Sequence, residues 1–154
     1  IARALILSPE FILLDEPTSA LDISVQAQVL NLLRDLQFKH HLTYMFITHN
    51  LSAIRYLADV VAIMYLGRIV EYAPVSQLFN NPRHPYTRSL LEAVPSLDER
   101  KPFIELIGDV PSPLYPPKGC HFHPRCSKIK DGCDSKLPSL LPESDRLVEC
   151  HLYN

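Results

Sequence analysis

Glycine is scarce. The 154 residues contain four, at 67, 108, 119 and 132, and none falls in a G-x-x-x-x-G-K-[ST] run. The chain therefore has no loop of the kind whose backbone N–H groups cradle a chain of phosphates. A basic excess is missing too: 15 Lys and Arg against 17 Asp and Glu leave a formal net charge of −2, which gives no electrostatic reason to expect a nucleic-acid or other polyanionic partner. No apolar run reaches bilayer length. The longest, YLADVVAIMYLG, is short and carries Asp59 in its middle, so it is expected to be a buried strand with no membrane span in the chain. No basic and apolar leader opens the sequence, which begins at Ile1, and the expectation is a protein that is not secreted. Cysteine is absent before residue 120. In such a chain the four cysteines read as metal ligands or free thiols rather than disulfides.

What remains is ample for a core, with 47% hydrophobic residues in a length typical of one domain. The first half alternates apolar runs with helical patterns. Phe11 to Leu14 reads as a strand, a helix opens around Asp22 to Ser24, and Thr43 to Ile47 reads as a second strand, the rhythm of a parallel α/β sheet. Val25, Val29, Leu32, Leu33 and Leu36 give the helix one apolar face, and Asp22 or Ser24 can cap its start. A short helix is predicted over Ser52 to Ala58. VVAIMYLGRIVEYA is predicted to form two strands joined at Leu66-Gly67-Arg68, a hairpin expected to finish the same sheet. Short helices follow at Val75 to Phe79 and Tyr86 to Ala93, the second with His84-Pro85 at its start. Beyond residue 95 the composition changes, since nine of the 14 prolines lie between 95 and 142 and prohibit long helices or central strands there.

The stretch FILLDEPTSALD runs four apolar residues into two adjacent carboxylates, Asp15 and Glu16. In open parallel sheets the ligand crevice lies beyond the carboxyl ends of the strands, where these two side chains fall. One carboxylate there can hold Mg²⁺ while its neighbour positions or deprotonates an attacking water. The second strand ends in Thr48-His49, which brings an imidazole to the same edge. A lone His is more often a solvated surface residue, but this one follows a strand that should neighbour the carboxylates.

FILLDEP, SALD and ITHN, in that order, resemble the Walker B strand, D-loop and H-loop of ABC-transporter ATPases, and IARAL resembles the end of the helix leading into Walker B. The resemblance implies the C-terminal part of a P-loop NTPase (ABC ATPase) α/β fold, a parallel sheet with flanking helices, over 1–80. It implies that Asp15 helps hold Mg²⁺, that Glu16 is the general base or water-orienting group, that His49 contacts the γ-phosphate of ATP, and that Asp22 lies at a dimer interface. The phosphate-binding loop, the Q-loop and the signature motif would all precede Ile1, so the chain alone is expected to be inactive.

The cysteines follow C-x5-C-x6-C-x16-C at Cys120, Cys126, Cys133 and Cys150. Four thiolates suit Zn²⁺ or an iron–sulfur cluster, and neither short gap is the tight C-x2-4-C of structural zinc sites. On spacing alone, cluster, zinc and free thiols stay open. His121 and His123 could replace a thiolate on zinc, although solvated or core-packing roles suit them better. HPYTRSLLEAVP, G-x-x-P-S-P and G-C-x-F-x-P-R-C together resemble the Pro-rich C-terminal extension of oligopeptide and dipeptide importer ATPases, a family that includes nickel importers. By that resemblance 81–154 is the extension, and its four cysteines hold a [4Fe-4S] cluster, with zinc as the alternative.

The function so implied is ATP hydrolysis that powers peptide uptake. The implied partners are a second ATPase subunit, as homo- or heterodimer, two permease subunits and a periplasmic or lipid-anchored peptide-binding protein. Nucleic acid is not among them. The implied location is the cytoplasmic face of the membrane, as a peripheral subunit. The competing reading is a non-enzymatic metal-binding interaction module.

Overall fold

The computed structural model describes residues 1–93, 108–143 and 145–153. The irregularity expected over 95–107 lies outside the described residues. The chain divides into two compact units, 1–58 and 59–154, each taken by itself below.

In the first unit a one-turn helix, α1 (Ala2–Leu5), precedes strand β1 (Phe11–Asp15). Helix α2 (Ile23–His40), strand β2 (Thr43–Ile47) and helix α3 (Leu51–Leu57) follow. The two strands are parallel and in register from Phe11 opposite Thr43 to Asp15 opposite Ile47. Period-two alternation turns Ile12 and Leu14 inward, where they meet Leu33 and Leu42, with Val29, Leu36, Tyr44 and Phe46 around them. Helix α2 thus covers one face of the strand pair, as its apolar stripe predicted. Leu32 departs from that expectation. It is 47% exposed, while Leu30, which the stripe omitted, is buried; with Val29, Leu33 and Leu36 on the packing face, Leu32 is turned to its side. The opposite face of the strands is bare, with Phe11, Leu13, Met45 and Ile47 all more than 40% exposed.

Capping fixes the helix ends. Asp22 accepts the Val25 N–H at 2.9 Å at the start of α2, and His41 ends it in the left-handed conformation at φ 52°. Asn50 caps α3 by accepting from the N–H groups of Ser52 and Ala53.

In the second unit β3 (Val60–Tyr65) and β4 (Arg68–Pro74) form the expected antiparallel hairpin. Leu66 and Gly67 turn it with φ of 43° and 77°, the two successive positive values of a type I′ turn. The hairpin does not finish the parallel sheet. It pairs instead with the chain's own tail, in a four-stranded antiparallel sheet ordered β3-β4-β6-β5, where β5 is Leu140–Glu143 and β6 is Arg146–Glu149. Pro142 is tolerated because β5 is an edge strand. Helix α4 (Val75–Asn80) buries Leu78, and helix α5 (Pro85–Glu92) begins at the proline where the sequence placed it.

Polar groups lock this unit. Glu71 is fully buried and accepts the backbone N–H groups of Arg83 and His84, each at 2.9 Å. Arg68 forks onto the buried Glu149 with two bonds of 2.7 Å, a bidentate geometry that suits a shielded pair. His84 is buried, and its Nδ1 accepts the Tyr86 N–H at 3.1 Å to cap α5. Burial pushes its pKa down from the usual 6.5 to about 4, and protonation at Nδ1 would also remove the cap. Between these values the unfolded chain takes up a proton that the folded unit refuses. Stability should therefore fall as pH drops from about 6.5 to about 4, by roughly 3 kcal/mol. His84→Asn keeps a capping side chain that does not titrate, so urea midpoints measured across that window should be flatter for the variant.

Candidate functional site

The carboxylate step ends β1. Asp15 is exposed at the last register position opposite Ile47, and the Glu16 N–H extends the ladder by one bond to the Ile47 carbonyl at 2.9 Å. Pro17 disfavours the right-handed helical region for the residue before it. Glu16 instead adopts φ 45°, a left-handed conformation that costs a bulky residue about 1 kcal/mol. The Ser19 N–H and hydroxyl both bond the Glu16 carbonyl, at 3.3 and 3.0 Å, and hold the turn.

This bend points Glu16 toward the end of β2. His49 Nδ1 lies 2.9 Å from Glu16 Oε1, joining side chains 33 positions apart. The imidazole is 80% exposed and the carboxylate 37%, so the contact adds at most about 1 kcal/mol to stability. Its significance is positional. Glu16 Oε2 is shielded from solvent and has no hydrogen-bond partner among the described residues. A buried carboxylate oxygen left without a donor is costly unless another group meets it. With Glu16 ionised, Nδ1 carries the hydrogen toward Oε1, and the ring can then donate from Nε2 only when doubly protonated.

Asp22 is exposed at the start of α2. Its Oδ1 is engaged by the Ser24 hydroxyl at 2.6 Å and by the Val25 N–H, and these bonds, the hydroxyl first, hold its carboxyl below the usual range. Sequence reasoning missed Gln26 and Asn50. Asn50 Nδ2 donates to Gln26 Oε1 at 3.2 Å, and Gln26 Nε2 donates to the Leu21 carbonyl at 2.9 Å. The position of Asn50 directly after His49 was the available signal.

The cysteines lie in the second unit and all four are free thiols. Cys120 and Cys133 are drawn together where the Cys120 N–H bonds the Cys133 carbonyl at 2.8 Å. Burial pushes the thiols of Cys120, Cys126 and Cys150 up, Cys150 to about 11. Mutual repulsion adds to this: Cys120, Cys126 and Cys133 all raise Cys150. Backbone N–H groups two residues ahead oppose it, from Phe122 onto Cys120, Lys128 onto Cys126 and Leu152 onto Cys150. No group of three or more ligand side chains stands at metal-binding distances among the described residues. The two observations differ in reach, because charge repulsion acts over several ångströms more than a coordination bond. The sulfurs are gathered without being in ligand geometry. His121 and His123 use Nδ1 on the carbonyls of Leu66 and Cys120, at 3.3 and 2.9 Å.

One cavity, of about 460 Å³, is lined by residues of the second unit such as Gln77, Asn81 and Arg146. It contains none of the residues that the sequence singled out. No helix among the described residues is long and apolar enough to cross a membrane.

Residues 70–133 match the family described as oligopeptide/dipeptide transporter, C-terminal region. The chain is 50% identical over 153 residues to the di/tripeptide transport ATP-binding protein DppF of Pseudomonas aeruginosa, covering 98% of this chain and 47% of that protein. It is 51% identical over 152 residues to the dipeptide transport ATP-binding protein DppF of Escherichia coli, covering 97% and 46%. With the oligopeptide transport ATP-binding protein AppF of Bacillus subtilis the identity is 48% over 159 residues, covering 100% and 48%. The chain is thus related along nearly its whole length to the ATP-binding proteins of oligopeptide and dipeptide transporters, and it spans about half the length of each.

Proposed function

We propose that this chain is part of an ABC-type ATP-hydrolysing subunit that powers peptide import. The observation that carries the reading is the Glu16–His49 contact, formed where two adjacent parallel strands end, in a chain about 50% identical to peptide-transport ATP-binding proteins. Peptide is favoured over nickel because those relatives are named for di/tripeptide and dipeptide transport. ATP is the substrate, and its phosphate cradle must come from residues this chain does not contain. Mg²⁺, when bound, neutralises charge on the transferring phosphoryl group. Asp15, exposed at the strand end, is the residue to hold it.

Oε1 of Glu16 keeps His49 in place, and the Glu16 carboxylate is the group that accepts a proton from the attacking water. His49, with Nδ1 on Glu16, presents Nε2 to the terminal phosphate. Asp22, with one oxygen committed to its helix, offers the other to a second ATPase subunit. Closure of that pair would act on two permease subunits supplied by a peptide-binding protein, from the cytoplasmic side of the membrane. In this reading 1–80 is the ATPase portion and 81–154 the extension.

The cysteine donors suit a [4Fe-4S] cluster: four thiols, mutually repelling when charged, with N–H groups on three sulfurs. Bound there, a cluster would cross-link Cys120, Cys126, Cys133 and Cys150 as a structural staple. Anaerobic protein should then contain iron and sulfide near four of each per chain with broad visible absorption, and Cys126→Ser should lose most of both. Zinc in their place would overturn the assignment.

The test of the whole reading is a chimera in which this chain replaces the matching half of a peptide-transport ATP-binding protein. Uptake of a labelled dipeptide should persist and should vanish with Glu16→Gln. Uptake lost in the chimera while the protein assembles and binds ATP would refute it.

A further inference from the structure

We infer that Gln26 is a positioning residue, which ties the turn before α2 to the Glu16–His49 pair through Asn50. The inference rests on the ATPase reading above. Gln26 lies in the second turn of α2, half-buried, and its amide is engaged at both ends. Nε2 donates to the Leu21 carbonyl and Oε1 accepts from Asn50 Nδ2. Flipping the amide would set N–H against N–H at one end and oxygen against oxygen at the other, so the two bonds form or fail together.

Asn50 is held just as firmly. Its Oδ1 caps α3 and its N–H donates to the Thr48 hydroxyl at 3.1 Å. His49 lies between those two residues. Its ring position against Glu16 therefore follows Asn50, and Asn50 follows Gln26. At the other end Leu21 immediately precedes Asp22, whose side chain caps the same helix. A displacement of the 19–22 turn thus reaches His49 through one amide.

Packing alone does not require this bridge. Helices α2 and α3 are also joined farther along, where the Tyr56 hydroxyl donates to Asn31 and Arg34 lies 5.1 Å over the Tyr56 ring. Tyr56→Phe loosens that helix contact without touching the bridge, which separates a positioning role from a structural one. Gln26→Leu removes both bridge bonds. Asn50→Asp keeps the helix cap and loses only the donor to Gln26.

The experiment uses the complete ATP-binding subunit in its transporter. ATP turnover would be measured for Gln26→Leu, Asn50→Asp, their double variant, Tyr56→Phe and Glu16→Gln, with amide hydrogen exchange followed over 19–22. Each bridge variant should lose about fivefold to tenfold in kcat with KM for ATP unchanged. The double should be no worse than the poorer single, because both act through one link. Exchange at 19–22 should accelerate, and Tyr56→Phe should stay within about twofold of the parent. Bridge variants with unchanged kcat, losses that multiply, or an equal loss in Tyr56→Phe would overturn the inference. Full turnover in Glu16→Gln would instead bring down the catalytic reading beneath it.

Discussion

Glu16→Gln, made in a complete ATP-binding subunit carrying these residues, is expected to cut kcat for ATP hydrolysis by about 10³-fold and leave ATP binding intact. The substitution is isosteric, and the Gln oxygen can still accept from His49 Nδ1 at the observed 2.9 Å. The left-handed backbone at residue 16, held by Ser19 and Ile47, is unaffected. What disappears is the basicity of the carboxylate. A geometric role for Glu16 would survive this change, whereas a proton-accepting role would not. Turnover within about threefold of the parent, at unchanged KM, would show that Glu16 does not receive the proton.

Gly119→Ala is expected to be the most disruptive single change in the second unit, costing on the order of 4 kcal/mol. Gly119 has φ +68°, and a Cβ there would lie 2.5 Å from the Cys133 carbonyl oxygen and 2.8 Å from backbone atoms of Asp134 and Ser135. Backbone cannot swing aside as a side chain can. The close approach is also what pairs the Cys120 N–H with the Cys133 carbonyl, so opening it separates two of the four thiols. Gly67→Ala is the control, since it has a similar φ of +77° with nothing within 4 Å, and it should cost about 1 kcal/mol. Urea denaturation of the two variants compares strain alone with strain plus collision. Equal midpoints would refute the steric account.

Local features were legible in the sequence because they are set by neighbours. Alternation placed Phe11 to Leu14, the capping side chain placed the start of α2, and Leu66-Gly67 placed the hairpin. Glu16 and His49 could be expected at one edge because both end strands of a parallel pair, and they are in contact. The tail was read poorly for the opposite reason. β6 pairs Leu147 with Tyr72, 75 positions away, and no local pattern carries that pairing. Phe122 illustrates the same gap. Flanked by histidines in a proline-rich stretch it gave no periodic signal, yet it is buried against Tyr65, Tyr86 and His84 with ring centroids 5.3 to 5.7 Å apart. The tail is consequently anchored by strand pairing, aromatic packing and the Arg68–Glu149 fork.

The uncovered side of the β1–β2 pair also bears on how the polypeptide behaves in the test tube. Phe11, Leu13, Met45 and Ile47 make a greasy strip on two strands that pair with no third strand among the described residues. Purified on its own, such a chain is expected to self-associate through this strip, and a fluorescent apolar dye should bind there and report it.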